Sequence, residues 1–160
     1  AIKKAETDAV ADPDTAKDLV WGFINEETKD QPAAKGAPEA LKKLREHAQI
    51  IILSNVPHSV HDDRVLNLKN IGMDYPLISN EGMKGPAVKE ILKNHKAESF
   101  FIDDNPYQVE SVYNDNQDTV CVHFSVCDLV KPYMPKAVGA SIEPTSWNDL
   151  VLKLINCLKG

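Results

Sequence analysis

Three runs of consecutive apolar residues, QIIIL (49–53), SFFI (99–102) and TVCVHF (119–124), are separated by segments whose apolar residues recur at helical spacing. A strand that is apolar at every position is one buried on both faces, which happens when helices cover both sides of a parallel sheet. Alternation of such strands with helices implies crossover units. The helical segments are APEALKKLREH (37–47), DRVLNLKNIG (63–72) with Gly72 as a stop, and PAVKEILKNH (86–95) with Pro86 in its first turn. Two more are Tyr107–Tyr113 behind Asn105 and Pro106, and SWNDLVLKLINCL (146–158). In the last of these Leu150, Val151, Leu154, Ile155 and Leu158 share one face, which reads as core. The expected fold class is α/β, three layers around a mainly parallel sheet of roughly five strands. TDAVA (7–11) is the first and poorest strand, and the polar NEETKDQPAAKG (25–36) reads as a loop.

At 160 residues the chain is expected to form a single domain over 1–160. Lys and Arg number 18 against 24 Asp and Glu, a net charge of −6, and the only adjacent lysines are Lys3–Lys4 and Lys42–Lys43. That balance argues against sequence-independent nucleic-acid binding. No apolar run approaches the ~20 residues that span a bilayer, and the first residues carry no signal-peptide stretch. Three cysteines without a CxxC pair fit a reducing compartment, so a cytoplasmic protein with no membrane partner is expected.

The run FFI ends in two adjacent carboxylates, Asp103 and Asp104. Helix capping does not need them, because Asn105 and Pro106 already have the form of an N-cap and first helical position. Adjacent like charges repel unless something offsets them, and Mg²⁺, which takes one or two carboxylates and leaves room for phosphate oxygens, would do so. In open α/β sheets ligands sit outside the carboxyl ends of the strands. The residues expected at those ends are Asp12 and Asp14 after the first strand, Ser54 and Asn55 after the second, and Asp103 and Asp104. Lys84 stands at a helix start. A carboxylate, a hydroxyl, a lysine and an acidic pair on one rim make a site for phosphoryl transfer. Plainer readings exist for each: DPDT is also a common turn, and Cys121, His123 and Cys127 lack zinc-site spacing and read as core. His58 and His61 overhang the expected site as loop residues.

DPDT, IIILSN, KGPAVKEIL and FFIDDN resemble, in order, the four motifs of the haloacid dehalogenase-like (HAD) phosphatase superfamily, over residues 7–113. The resemblance implies a Rossmann-like HAD fold and a Mg²⁺-dependent phosphomonoester hydrolase. In it Asp12 is the nucleophile that forms an aspartyl-phosphate, and Asp14 is the general acid and base. Mg²⁺ would be held by Asp12, the Asp14 carbonyl and Asp104, with Asp103 as a further ligand; Ser54, Asn55 and Lys84 would bind the phosphoryl oxygens. The first motif departs from the family pattern at Thr15 and Ala16, where Gly and Thr are usual. That departure motivates the alternative of a catalytically silent HAD-like domain that binds a phosphorylated ligand or protein partner. The intervals from Asp14 to Ser54 and from Ser54 to Lys84 leave no room for a sizeable cap domain. An open site implies a bulky phosphorylated substrate, or a homo-oligomer that supplies the lid.

Overall fold

The apolar runs do become parallel strands. The structure is a computed structural model that describes residues 10, 12–129 and 131–159. Its elements run α1 (Pro13–Glu27), α2 (Ala37–Leu44), β1 (Ile52–Ser54), α3 (His61–Asn70), β2 (Leu77–Ser79) and α4 (Gly85–Leu92). They continue with β3 (Ser99–Asp103), α5 (Pro106–Asp115), β4 (Thr119–His123) and α6 (Trp147–Lys159). Strand β1 pairs with β2 in the register Ile52 to Leu77, and β3 pairs with β4 in the register Ser99 to Thr119, both parallel, as two two-stranded sheets. Beyond β4, Val122 forms a further parallel bridge with Ile142.

Side-chain alternation along these strands builds two apolar layers. Phe101 and Cys121 point to the face covered by α4 and α5, where they meet Val88, Val109 and Val112. Phe100, Val122 and Phe124 point to the opposite face, against Ala40 and Leu44 of α2 and Leu150, Val151 and Leu154 of α6. Leu53 of β1 packs with the first cluster, while Ile52 and Leu77 join Ala37, Leu68 and Met73 on the second side. The strands are thus sandwiched between helices, as continuous apolar runs require. Val109, Val112 and Val122 are fully buried, and each contributes roughly 1.5–3 kcal/mol over an exposed position.

The departures from expectation have local causes. Strand β1 is shorter than QIIIL because its partner β2 is only three residues long; Ile51 falls outside the ladder and is 45% exposed. Strand β2 itself was not expected, since LIS is a short apolar pair squeezed between Pro76 and Asn80. Helix α1 covers the DPDT turn and the first part of the expected loop 25–36. It is capped by Asp12 with Pro13 at its first position, and none of its residues is buried. The connector after it is tied down by the buried Asn67 of α3, whose amide donates to the carbonyls of Lys29 and Gln31, each at 2.9 Å. Of the expected strand 7–11 only Val10 is described; the rest lies outside the described residues.

Candidate functional site

Strand β3 carries the acidic pair to the rim and α5 begins immediately after it. The Asn105 side chain accepts from the Tyr107 amide at 3.0 Å, and Pro106 supplies a first helical position that needs no N–H partner. Asn105 therefore caps α5 without either aspartate, although Asp103 also takes the Asn105 amide. Asp103 turns inward, with its side chain 7% exposed, and its Oδ2 accepts from Lys84 Nζ at 2.7 Å. Its other oxygen accepts from the Asn105 amide at 2.8 Å. The Lys84 side chain is 13% exposed, so the pair is largely withdrawn from solvent and breaking it would strand a charge. Asp104 is exposed, and its backbone carbonyl lies 3.1 Å from Nε2 of the half-buried His123 at the end of β4.

Ser54 and Asn55 end β1, where the Ser54 carbonyl accepts from the Asn80 amide at 2.8 Å. The Asn55 side chain donates to the Gly82 carbonyl at 2.8 Å and accepts from the Asn80 side chain at 2.9 Å. Glycine at 82 suits the left-handed turn there, with φ of 81°. Asn55 and Lys84 are thereby linked through the short Asn80–Lys84 loop. Of the two expected loop histidines, His61 reaches Ser79 Oγ at the end of β2 through Nδ1 at 2.7 Å, and His58 lies in a 3-10 turn.

Asp12 and Asp14 are placed differently. Both are exposed in the first turn of α1. The Asp12 carboxylate is engaged by one residue: Oδ1 accepts from the Thr15 amide at 2.9 Å and Oδ2 from the Thr15 hydroxyl at 2.7 Å. These two bonds, the amide foremost, hold its pKa below the ordinary carboxylate value. Among the described residues no three His, Cys, Asp or Glu side chains converge as they would around a metal ion. Both Asp103 oxygens are engaged, by Lys84 and by the Asn105 amide, so Asp104 is the member of the acidic pair with a solvent-facing carboxylate of the kind Mg²⁺ takes. Asp12, with both oxygens turned into its own helix, does not fit as a further ligand in this arrangement.

Two participants were missed by the sequence reading. Gln108, buried on α5, donates through Nε2 to the Gly82 carbonyl at 3.1 Å and accepts from the Lys84 amide at 2.8 Å. Ser111, one helical turn further, accepts from the Gly85 amide at 3.0 Å. Their only sequence signal is that polar residues interrupt the buried stripe Val109 and Val112.

The sequence matches no protein-family model and no curated protein. Among solved structures it is similar to a protein of Burkholderia xenovorans LB400 described as a haloacid dehalogenase-like hydrolase. The two superpose with a TM-score of 0.56 over 87% of this chain at 16% identity, and the chain spans 66% of that protein's length. Parallel strand pairs packed between helices, no large cap among the described residues, and a lysine–aspartate pair beside the strand ends thus belong to a chain that has the fold of a HAD-like hydrolase.

Proposed function

We propose that this rim binds the phosphoryl group of a phosphate monoester, and that the chain is a Mg²⁺-dependent phosphomonoester hydrolase of the HAD type. The observation that carries the reading is the Lys84–Asp103 pair at 2.7 Å beside the ends of β1 and β3. It is a fixed cation next to an acidic pair, and a phosphoryl group needs positioning and charge neutralisation more than covalent chemistry from the protein. Ser54 and the Asn55 amide would donate to the phosphoryl oxygens and Lys84 would oppose their charge. Mg²⁺, which Asp104 would hold with Asp103 as orienter, would supply further neutralisation when bound. In the full reaction an Asp12 oxygen bonds to phosphorus as the ester oxygen leaves with a proton from Asp14. Water, deprotonated by Asp14, then splits the aspartyl-phosphate. That step requires Asp12 to exchange its two Thr15 hydrogen bonds for the pocket. Without a sizeable cap the reading favours a bulky phosphorylated substrate whose own surface excludes water.

The Asp12–Thr15 capping bonds favour a second reading, in which a phosphorylated ligand is bound without turnover. Beryllium fluoride with Mg²⁺, followed by NMR, together with hydrolysis of p-nitrophenyl phosphate, separates the two. The hydrolase reading expects an adduct on Asp12 and turnover that Asp12→Asn abolishes. Orthophosphate binding with neither adduct nor turnover would leave the binding reading, and no orthophosphate binding at all would end both.

A further inference from the structure

Lys84 occupies the N-cap position of α4, where a serine, threonine or aspartate would normally accept from the first backbone amides. A lysine side chain has no acceptor, and α4 has no side-chain cap of its own. The two amides that open the helix, those of Lys84 and Gly85, are satisfied from the neighbouring helix: Gln108 Oε1 takes the Lys84 amide and Ser111 Oγ takes the Gly85 amide. Pro86 needs no acceptor. Helix α5 also holds the carbonyls on either side, Gly82 through Gln108 Nε2 and Gly85 through Asn116 Nδ2 at 3.0 Å. The fit is close enough that a Cβ at Gly85 would clash with the Ser111 carbonyl and Asp115 Oδ2.

We infer that Gln108 and Ser111 are positioning residues that hold the backbone of Lys84 and Gly85 at the start of α4, so that the lysine side chain is aimed at the rim. The division of labour has a clear physical basis. The side chain of residue 84 supplies the cation to Asp103, while the amides of Lys84 and Gly85 have no acceptor within α4 and would be costly left unpaired in a partly buried turn. Because α5 starts at Asn105, directly after the acidic pair, the same rigid helix fixes both partners of the ion pair. Helix α5 thereby sets the Lys84 to Asp103 separation. The inference concerns the site in the proposed reading and rests on that reading only for its bearing on phosphate.

Amide hydrogen exchange by NMR on the full chain tests it. In Gln108→Met, which keeps side-chain length and removes both polar atoms, the Lys84 amide should exchange about 10-fold faster relative to the β3–β4 ladder amides, the loss of one hydrogen bond. The cross-relaxation signal between the Lys84 ε-methylene and the Asp103 β-methylene should weaken with it. Gln108→Glu keeps the acceptor and should restore Lys84 amide protection. Ser111→Ala, a smaller change that tests the same idea should Gln108→Met fail to fold, should expose the Gly85 amide alone. Lys84 and Gly85 amides that stay as protected as in the wild type, or that accelerate only in step with the ladder, would overturn the inference. Exchange needs no turnover, so a wild-type protein that hydrolyses nothing counts against the hydrolase reading and leaves this one intact.

Discussion

Two acidic turns open two helices in this chain, and they are held in opposite ways. Asp103 stands before α5 and is fixed by a lysine 19 residues away in sequence, inside a shell of contacts from α4, α5 and the Asn80–Lys84 loop. Asp12 stands before α1 and is engaged by Thr15, three residues on, at the surface of a helix that buries none of its residues. The first carboxylate depends on tertiary structure; the second depends on one turn of backbone. Each helix is capped by an Asx residue followed by proline, Asp12–Pro13 and Asn105–Pro106, but only the second cap is preceded by a carboxylate, Asp103, that the tertiary structure holds.

The largest effect should come from breaking the tertiary side. Lys84→Met leaves Asp103 buried without its cation, and the expected loss of stability is about 3–5 kcal/mol, read by urea unfolding, together with loss of orthophosphate binding. A variant as stable as the wild type would mean that the pair is not withdrawn from solvent as described. Gly85→Ala comes next. The added methyl meets the Ser111 carbonyl and Asp115, and α4 must move off α5 at a cost of about 1–3 kcal/mol. Unfolding midpoints measure it, and an unchanged midpoint would show that the two helices are not in contact at that point.

The local side should respond weakly. The depressed Asp12 pKa means that its contribution is fully present above the ordinary aspartate value of about 3.9 and is lost as pH falls through the lower folded value. Helicity at the α1 terminus should therefore decline only in strong acid, and Thr15→Ala should flatten that decline, as backbone NMR shifts against pH would report. Loss of α1 near neutral pH would place other titrating groups in control and remove the contrast between the two turns.

The strands β3 and β4 and the start of α5 were legible because their signals are local: a continuous apolar run, then Asn-Pro. That Lys84 and the acidic pair share one rim was legible because strand ends in a parallel sheet converge and Lys84 precedes a Pro-started helix, but the direct bond from Lys84 to Asp103 was not, since the lysine was expected to face phosphate. Helix α1 was not, for its apolar residues Leu19, Val20, Trp21 and Phe23 remain 42–60% exposed and make no buried stripe to recognise. Its cap signature, Asp12–Pro13 with Thr15, was in the sequence and was outweighed by the resemblance to a catalytic motif. Gln108 was out of reach because a buried amide reads as polar surface until its partners, two backbone atoms 24 and 26 residues away, are known.

The grip on the Asn80–Lys84 loop is made almost wholly on backbone atoms: the carbonyl of Gly82 and the amides of Lys84 and Gly85. Between Asn80 and Lys84, whose side chains are bonded, both Glu81 and Met83 are uncommitted and face solvent beside the rim. Such a loop can be rewritten without being rebuilt. Randomising positions 81 and 83 would vary the chemistry presented next to the bound group while the lysine keeps its place, which makes these two positions the natural starting library for retargeting the site.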